Sequence, residues 1–431
     1  MAITLDMRSA DFERRFAVLM AAKRESSADV DVAVAAIIAD VRARGDEALA
    51  ELSLRFDRVD IARLGLRIGA AEVEAAIAAC AKTALEALKL AYSRVTDFHR
   101  RQKPADLRFT DPLGVELGWR WRPIDAVGIY VPGGAASYPS SVIMNAVPAK
   151  VAGCRRLAMV VPTPDGHINP LVLAAARIAG VDEIYRVGGA QAIAALAYGT
   201  QTIAAVDKVV GPGNVYVAAA KRRVFGVVGI DMIAGPSEVV ILADRAADPR
   251  FVAADLLSQA EHDEAAYPLL ITASELMARA VTREIVAQLE TLPRAVMARA
   301  AFDNGVALVV STRERMAAVA DRIAPEHLAL HVVDPGAMLA GIRHAGAAFL
   351  GPATPEAVGD YLAGPSHVLP TGGAVRFGSP LGVYDFVTRT SIIQYTAEAL
   401  ARHERAVCAL ARLEGLEGHA RAVEARLRST R

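Results

Sequence analysis

Four short stretches of this sequence carry side chains that bind metals or move protons. In the run 255–262, DLLSQAEH, the residues Asp255, Gln259 and His262 fall at i, i+4 and i+7, which is one face of a helix. A Gln and a His one turn apart can offer an oxygen and a nitrogen to the same zinc ion, and the pattern reads equally as a polar helix end. Glu326 and His327 are adjacent just before an apolar run. A carboxylate beside an imidazole there is a candidate acid–base pair, although the dipeptide is also common on surfaces. Asp360 and His367 stand out in the Gly- and Pro-dense run 359–367, which reads as a structured loop. Asp360 could add a hard oxygen ligand to the Gln/His pair. In the tail, Glu414 and His419 flank two glycines that interrupt a helical pattern. His419 there is either a helix N-terminal residue or a group that reaches a site elsewhere.

Three glycine turns follow apolar strand-like runs: YVPGG from Tyr130, VGGAQ ending at Gln191, and VGPGN ending at Asn214. Glycines at such positions let a phosphate approach backbone amides, and they also simply make tight strand–helix turns. The GxGxxG dinucleotide fingerprint is absent. Three such turns in one segment favour a shared binding edge at the carboxyl ends of parallel strands.

The elements that position these groups follow from periodicity. The first hundred residues read as helical, with apolar residues at helical spacing over 29–44 and 70–89. A short alternating stretch, 115–122, reads as β. From about Val127, short apolar runs alternate with Ala-rich helical ones, giving strands at 126–130, 157–161, 183–187, 208–210, 239–242, 269–272, 307–310 and 328–332. Such alternation means parallel sheet and an α/β fold. After Gly382 the pattern is helical again, at 397–413 and 419–428. That tail reads either as a docking element or as a helix packed on its own chain.

Of the 431 residues, 53% are hydrophobic, enough for a substantial core in two or three structural units. Lys+Arg and Asp+Glu both number 48, so charge gives no reason to expect nucleic acid or an anionic membrane. Three widely separated cysteines argue against a disulfide framework and a thiolate zinc site, and fit a reducing cytoplasm. No apolar run is long enough to cross a bilayer, and the N-terminal stretch lacks a signal-peptide core.

The runs GIYVPGG, VGGAQAIAALAYGT, VDKVVGPGN, IDMIAGPSEVVILAD, DLLSQAEHD, PEHL, GDYLAGPSHVLPT and LEGLEGHARAVEAR, in this order, resemble the histidinol dehydrogenase family across essentially the whole chain. The resemblance implies two incomplete Rossmann-like parallel-sheet domains with helical N- and C-terminal extensions. The expected boundaries are a helical extension at 1–25, a main domain of 26–129 with 238–381, a second domain at 130–237, and a tail at 382–431. It implies one zinc ion per subunit on Gln259, His262, Asp360 and His419. The catalytic pair would be Glu326 and His327, and the NAD contacts Tyr130, Gln191 and Asn214. Substrate contacts would be Ser237, His327, Glu414 and the four zinc positions, with His367 nearby. The implied reaction is a four-electron, NAD-linked oxidation of L-histidinol through the aldehyde to L-histidine, the last step of histidine biosynthesis. A cytoplasmic homodimer with exchanged tails is implied as well. One departure is Ser366, where the family usually has Asn, which bears on the geometry of His367. A related dehydrogenase of another small alcohol and, more remotely, a zinc hydrolase are the competing readings. Glu414 favours a substrate with a cationic amine.

Overall fold

The computed structural model describes residues 3–22, 28–133, 138–233, 235–310 and 312–428. Gly134 of the first glycine turn, Ala234 of the IAGPS run, and the two ends of the expected 1–25 extension lie outside the described residues. The chain divides into two compact units, Met1–Gln102 with Ile124–Phe386, and Lys103–Pro123 with Val387–Arg431.

The first unit holds two parallel sheets. The smaller contains Ala126–Tyr130, Arg156–Val160, Glu183–Tyr185, Lys208–Val210 and Gly229–Ile230. Counted along the chain these lie side by side in the order 3-2-1-4-5. That is the doubly wound dinucleotide-fold order with its sixth strand missing. The larger sheet repeats it. Glu238–Ala243, Tyr267–Thr272, Val306–Val309, His327–His331 and Ala347–Leu350 again run 3-2-1-4-5, and the strand Ile3–Asp6 adds beside Val306–Val309. Two incomplete Rossmann-like sheets are therefore present.

Alternation explains why the larger sheet forms. All six residues of Glu238–Ala243 are buried. Val239, Ile241 and Ala243 pack on one face with the helix Pro249–Ala260, while Val240 and Leu242 pack on the other with Phe12, Phe16 and the helix Arg313–Ile323. A strand covered on both faces reads as a continuous apolar run, so it was visible in the sequence. The smaller sheet is covered in the same way, partly by the N-terminal helices Ala28–Arg44 and Asp46–Asp57.

The second unit is an antiparallel sheet, in which Glu116–Pro123 lies between Leu107–Thr110 and Val387–Gln394. Two helices follow, Ala397–Leu413 and Glu417–Arg428. Cys408, Ala411 and Ala420 are buried between them, and Arg412 pairs with both Glu417 and Glu424. Five of the described strands escaped the periodicity: Ile3–Asp6, Leu107–Thr110, Gly229–Ile230, Ala347–Leu350 and Val387–Gln394. Ile3–Asp6 is four residues long and hidden in a helical N-terminus, and Val387–Gln394 exposes most of its side chains. Among the described residues no helix is long and apolar enough to cross a membrane.

Candidate active site

Glu326 and His327 open the fourth strand of the larger sheet, at the point where the strand order reverses. Ala324 ends the preceding helix in a left-handed conformation (φ 52°), and Pro325 then turns the chain into the strand. The neighbouring strand Ala347–Leu350 enters through Gly346, where a Cβ would stand 2.5 Å from the Glu326 carbonyl oxygen, so only glycine permits this approach. Both side chains are anchored on the peptide groups of one residue, Glu238. Its N–H donates to Glu326 Oε2 at 3.0 Å, and its carbonyl lies 3.2 Å from His327 Nδ1. A carbonyl can only accept, so Nδ1 carries the proton and Nε2 is left as the basic nitrogen. Burial pulls His327 down to about 3, which keeps the imidazole neutral.

Strand parity places the next group. His327 and His331 project to the same face as Ala329, which packs on the helix Pro249–Ala260. On that helix Asp255 and Gln259 share a face one turn apart. Asp255 Oδ2 lies 2.8 Å from His331 Nε2, with both residues buried, so this pair fixes the height of the helix against the strand. Gln259 is fully buried and its Oε1 has no hydrogen-bond partner. Its Nε2 is 3.4 Å from His262 Nδ1. The helix ends at Ala260, so His262 lies in the turn just beyond it and not on the helix face itself. Burial keeps His262 below its usual range, favouring the neutral ligand form.

Asp360 lies near the end of a short helix, Glu356–Tyr361, which the loop reading of 359–367 did not foresee. Gly359 allows that helix to sit on the Phe349 ring, which a Cβ would meet at 2.7 Å. The Asp360 carbonyl holds His367 Nδ1 at 3.0 Å, and burial moves Asp360 up to about 6 and His367 down to about 4. Ser366 is buried. It donates to the Met144 carbonyl and accepts from Val368 N–H, both at 3.2 Å, and so ties the His367 loop to the helix Pro139–Ala152 of the smaller sheet.

Glu356 was not singled out from the sequence. It is 1% exposed, its Oε1 is 3.6 Å from His327 Nδ1, and neither oxygen has a hydrogen-bond partner. Burial first, then the charges of Asp360, Glu326 and Asp255, push its carboxyl well above the usual range. Its only sequence signal is its position four residues before Asp360, on the same side of a helix.

A partnerless buried Gln oxygen, a neutral His beside it, and a crowd of buried carboxyls form a donor set short of a cation, which fits zinc. Among the described residues no group of three His, Cys, Asp or Glu is poised around a metal. This unit supplies only His262 and Asp360 of those types from the expected set, with Gln259 as an amide. His419 and Glu414 belong to the second unit, where both are exposed.

The three glycine turns lie at the carboxyl ends of the smaller sheet. Tyr130 ends its first strand and is buried, and its hydroxyl accepts from Gly189 N–H at 3.2 Å. Burial raises that phenol to about 12. Gly133 and Gly188 both press on Pro162, and a cavity of about 280 Å³ opens there between Pro132, Gly133, Pro162, His167 and Asn169. Gln191 is buried on the helix Gly189–Tyr198. Asn214 is an exposed cap, accepting from Tyr216 and Val217 N–H at the start of the helix Val215–Val224. The strands bearing Tyr130 and Gly211 are the two that flank this sheet's order reversal, the usual place for a dinucleotide. Ser237 is half-buried directly before Glu238.

Comparison with known proteins agrees with this construction. The chain is 58% identical to the histidinol dehydrogenase of Rhodopseudomonas palustris, over 99% of each chain. It is 57% identical to that of Bradyrhizobium diazoefficiens at the same coverage. The crystal structure of histidinol dehydrogenase from Elizabethkingia anophelis superposes with a TM-score of 0.94 at 34% identity, covering 100% of this chain and 98% of that one. The family model for histidinol dehydrogenase matches residues 20–427, so a doubled 3-2-1-4-5 sheet with a buried Glu-His pair at one reversal point belongs here to the histidinol dehydrogenase family.

Proposed function

We propose that this chain oxidises L-histidinol in two NAD-linked steps, through the aldehyde, to L-histidine. The observation that carries the reading is the buried pair Glu326–His327, with its proton positions set by Glu238, next to the Gln259–His262 turn. Gln259, His262 and Asp360 would hold zinc, with His419 as the fourth ligand. When bound, zinc supplies a template for the nitrogens of an amino alcohol. Tyr130, Gln191 and Asn214 would hold NAD, which when bound would supply a two-electron hydride acceptor for each oxidation.

The remaining work falls to the protein. His327 Nε2, unprotonated, accepts the hydroxyl proton in the first oxidation. Glu326 takes a proton from the water that adds to the aldehyde, and His327, once it has passed its first proton to solvent, takes the proton of the resulting hydrate. Burial of both groups keeps bulk water from the aldehyde between the steps. Ser237 and Glu414 contact the substrate, Glu414 pairing with its cationic amine.

The tail of a partner subunit would supply Glu414 and His419. Supporting this, Leu410 and Leu413 are 63% and 83% exposed, and the core between the tail helices is small. Three free cysteines without a disulfide fit the cytoplasm.

The test is stoichiometric. Zinc-loaded protein with excess NAD and limiting L-histidinol is expected to form two NADH per histidinol, with histidine as product, and to lose activity on chelation. One NADH per histidinol would sink the two-step reading. No NADH would sink histidinol as substrate and direct the assay to other small alcohols.

A further inference from the structure

An ion pair that the chemistry above does not use lies beneath the third glycine turn. Lys221, on the helix Val215–Val224, and Asp231, just after the strand Gly229–Ile230, bond to each other with side-chain exposures of 2% and 0%. Both backbone polar groups of Gly211 end on this pair. The Gly211 carbonyl accepts from Lys221 Nζ at 2.9 Å, and the Gly211 N–H donates to Asp231 Oδ2 at 2.8 Å. Met232 N–H also donates to Asp231 Oδ1, at 2.6 Å.

Gly211 could not hold its place through packing of its own. It has no side chain, its φ is +110°, and a Cβ there would stand 2.1 Å from the Tyr130 carbonyl oxygen. A residue in that conformation is free to move unless something grips its peptide groups. The grip continues outward. Gly211 rests on the Tyr130 backbone, the Tyr130 hydroxyl receives Gly189 N–H, and Asn214 caps the helix that carries Lys221. The buried pair therefore grips the Gly211 turn directly, and that turn packs closely on the strand end that bears Tyr130.

We propose that Lys221 and Asp231 are positioning residues for the dinucleotide site, holding the Gly211–Asn214 turn in its binding conformation. The proposal rests on the reading that this turn binds NAD. A buried ion pair adds little net stability over apolar residues of similar size, so specificity of conformation is the property it can contribute. The pair touches neither substrate nor the Glu326–His327 dyad, so its loss should appear in NAD binding and leave histidinol binding alone.

The experiment uses the full-length, zinc-loaded protein with Lys221→Met, Asp231→Asn and the double variant Lys221→Met/Asp231→Leu. NADH affinity is read by fluorescence titration, KM is measured for NAD and histidinol separately, and folding is followed by thermal melting. The double variant leaves no unpaired buried charge, so it separates folding from positioning even where the single variants unfold. The expected result is a double variant that melts near wild type, with NADH affinity and KM for NAD weakened about tenfold or more and KM for histidinol within about twofold, since a loosened turn loses prepaid orientation. A folded double variant that binds NADH as wild type does would overturn the proposal. Asn214→Ala is the control. If it also leaves NADH affinity unchanged, the dinucleotide reading of the turn fails, and if it alone weakens binding, only the positioning role fails.

Discussion

The role proposed for His327 rests on a backbone carbonyl. Because the Glu238 carbonyl fixes the proton on Nδ1, the imidazole presents a base on Nε2, and burial keeps it neutral well below physiological pH. Glu326, held through Oε2 by Glu238 N–H, is assigned the water-activating step. Glu326→Gln is therefore expected to retain the first oxidation and slow the second by about 10²-fold or more, as loss of general-base catalysis does. Single-turnover NADH yield from histidinol checks this, and equal slowing of both oxidations would refute the division of labour. Glu356 gives a prediction in the metal-free chain. Its folded carboxyl is raised, so between about pH 5 and 6 the folded state keeps a proton that the unfolded state has released, and this adds stability that is lost as pH rises. His327 and His367 are lowered and act with the opposite sign, since unfolding there takes up protons and stability falls on acidification. Glu356→Gln removes only the compensating term. Its melting temperature should fall more steeply than that of wild type as pH drops from 6 to 5, and parallel pH profiles would contradict the assignment.

At the scale of elements, the distance between the Gln259 turn and the His327 strand is set one helical turn away, by Asp255 and His331. Asp255→Asn keeps the volume but breaks the match of acceptor to imidazole. A loss of about 1–3 kcal/mol in stability is expected, with weaker zinc retention, measurable by denaturant melts and metal analysis after dialysis. Gly346→Ala should cost about 1–3 kcal/mol, because the added methyl meets a carbonyl oxygen that cannot rotate away. Legibility also belongs to this scale. Glu238–Ala243 was visible because both faces are covered, and Asn214 was visible because its turn follows an apolar run. Val387–Gln394 was not, since its exposed Thr, Arg, Ser and Gln resemble a loop. Glu356 was missed because a lone Glu in a sequence says nothing of burial, and its burial comes from the close helix contact that Gly359 permits. The Asp255–His331 pair spans 76 residues, so no local pattern announces it.

For the whole molecule, the amino edge of one sheet carries the proposed acid–base pair, Glu326 and His327, and the carboxyl edge of the other carries the glycine turns. Ser366 and Thr371 tie the two halves, the first to the Met144 carbonyl and the second to Gly235 N–H. The proposed tail exchange is tested by mixing subunits. His262→Asn and His419→Asn chains, each inactive alone, should regain about a quarter of wild-type activity after subunit exchange, since half the dimers of a symmetric pair become mixed and each holds one intact site. No recovery, with exchange verified by tag exchange or mass, would place His419 in its own chain's site.

The sheet of the second unit is assembled from segments far apart in the chain, and this orders its history during synthesis. The hairpin that ends at Pro123 leaves the ribosome with one side of Glu116–Pro123 unpaired. Its partner strand emerges roughly 260 residues later, on the order of 13 to 50 s at roughly 5–20 residues per second. An open edge is a template for wrong partners throughout that wait. The waiting strand reads ELGWRWRP, with Glu116, Arg120 and Arg122 among its residues and a proline at its end. Those charges repel like edges on neighbouring nascent chains until the last fifty residues arrive to close the sheet.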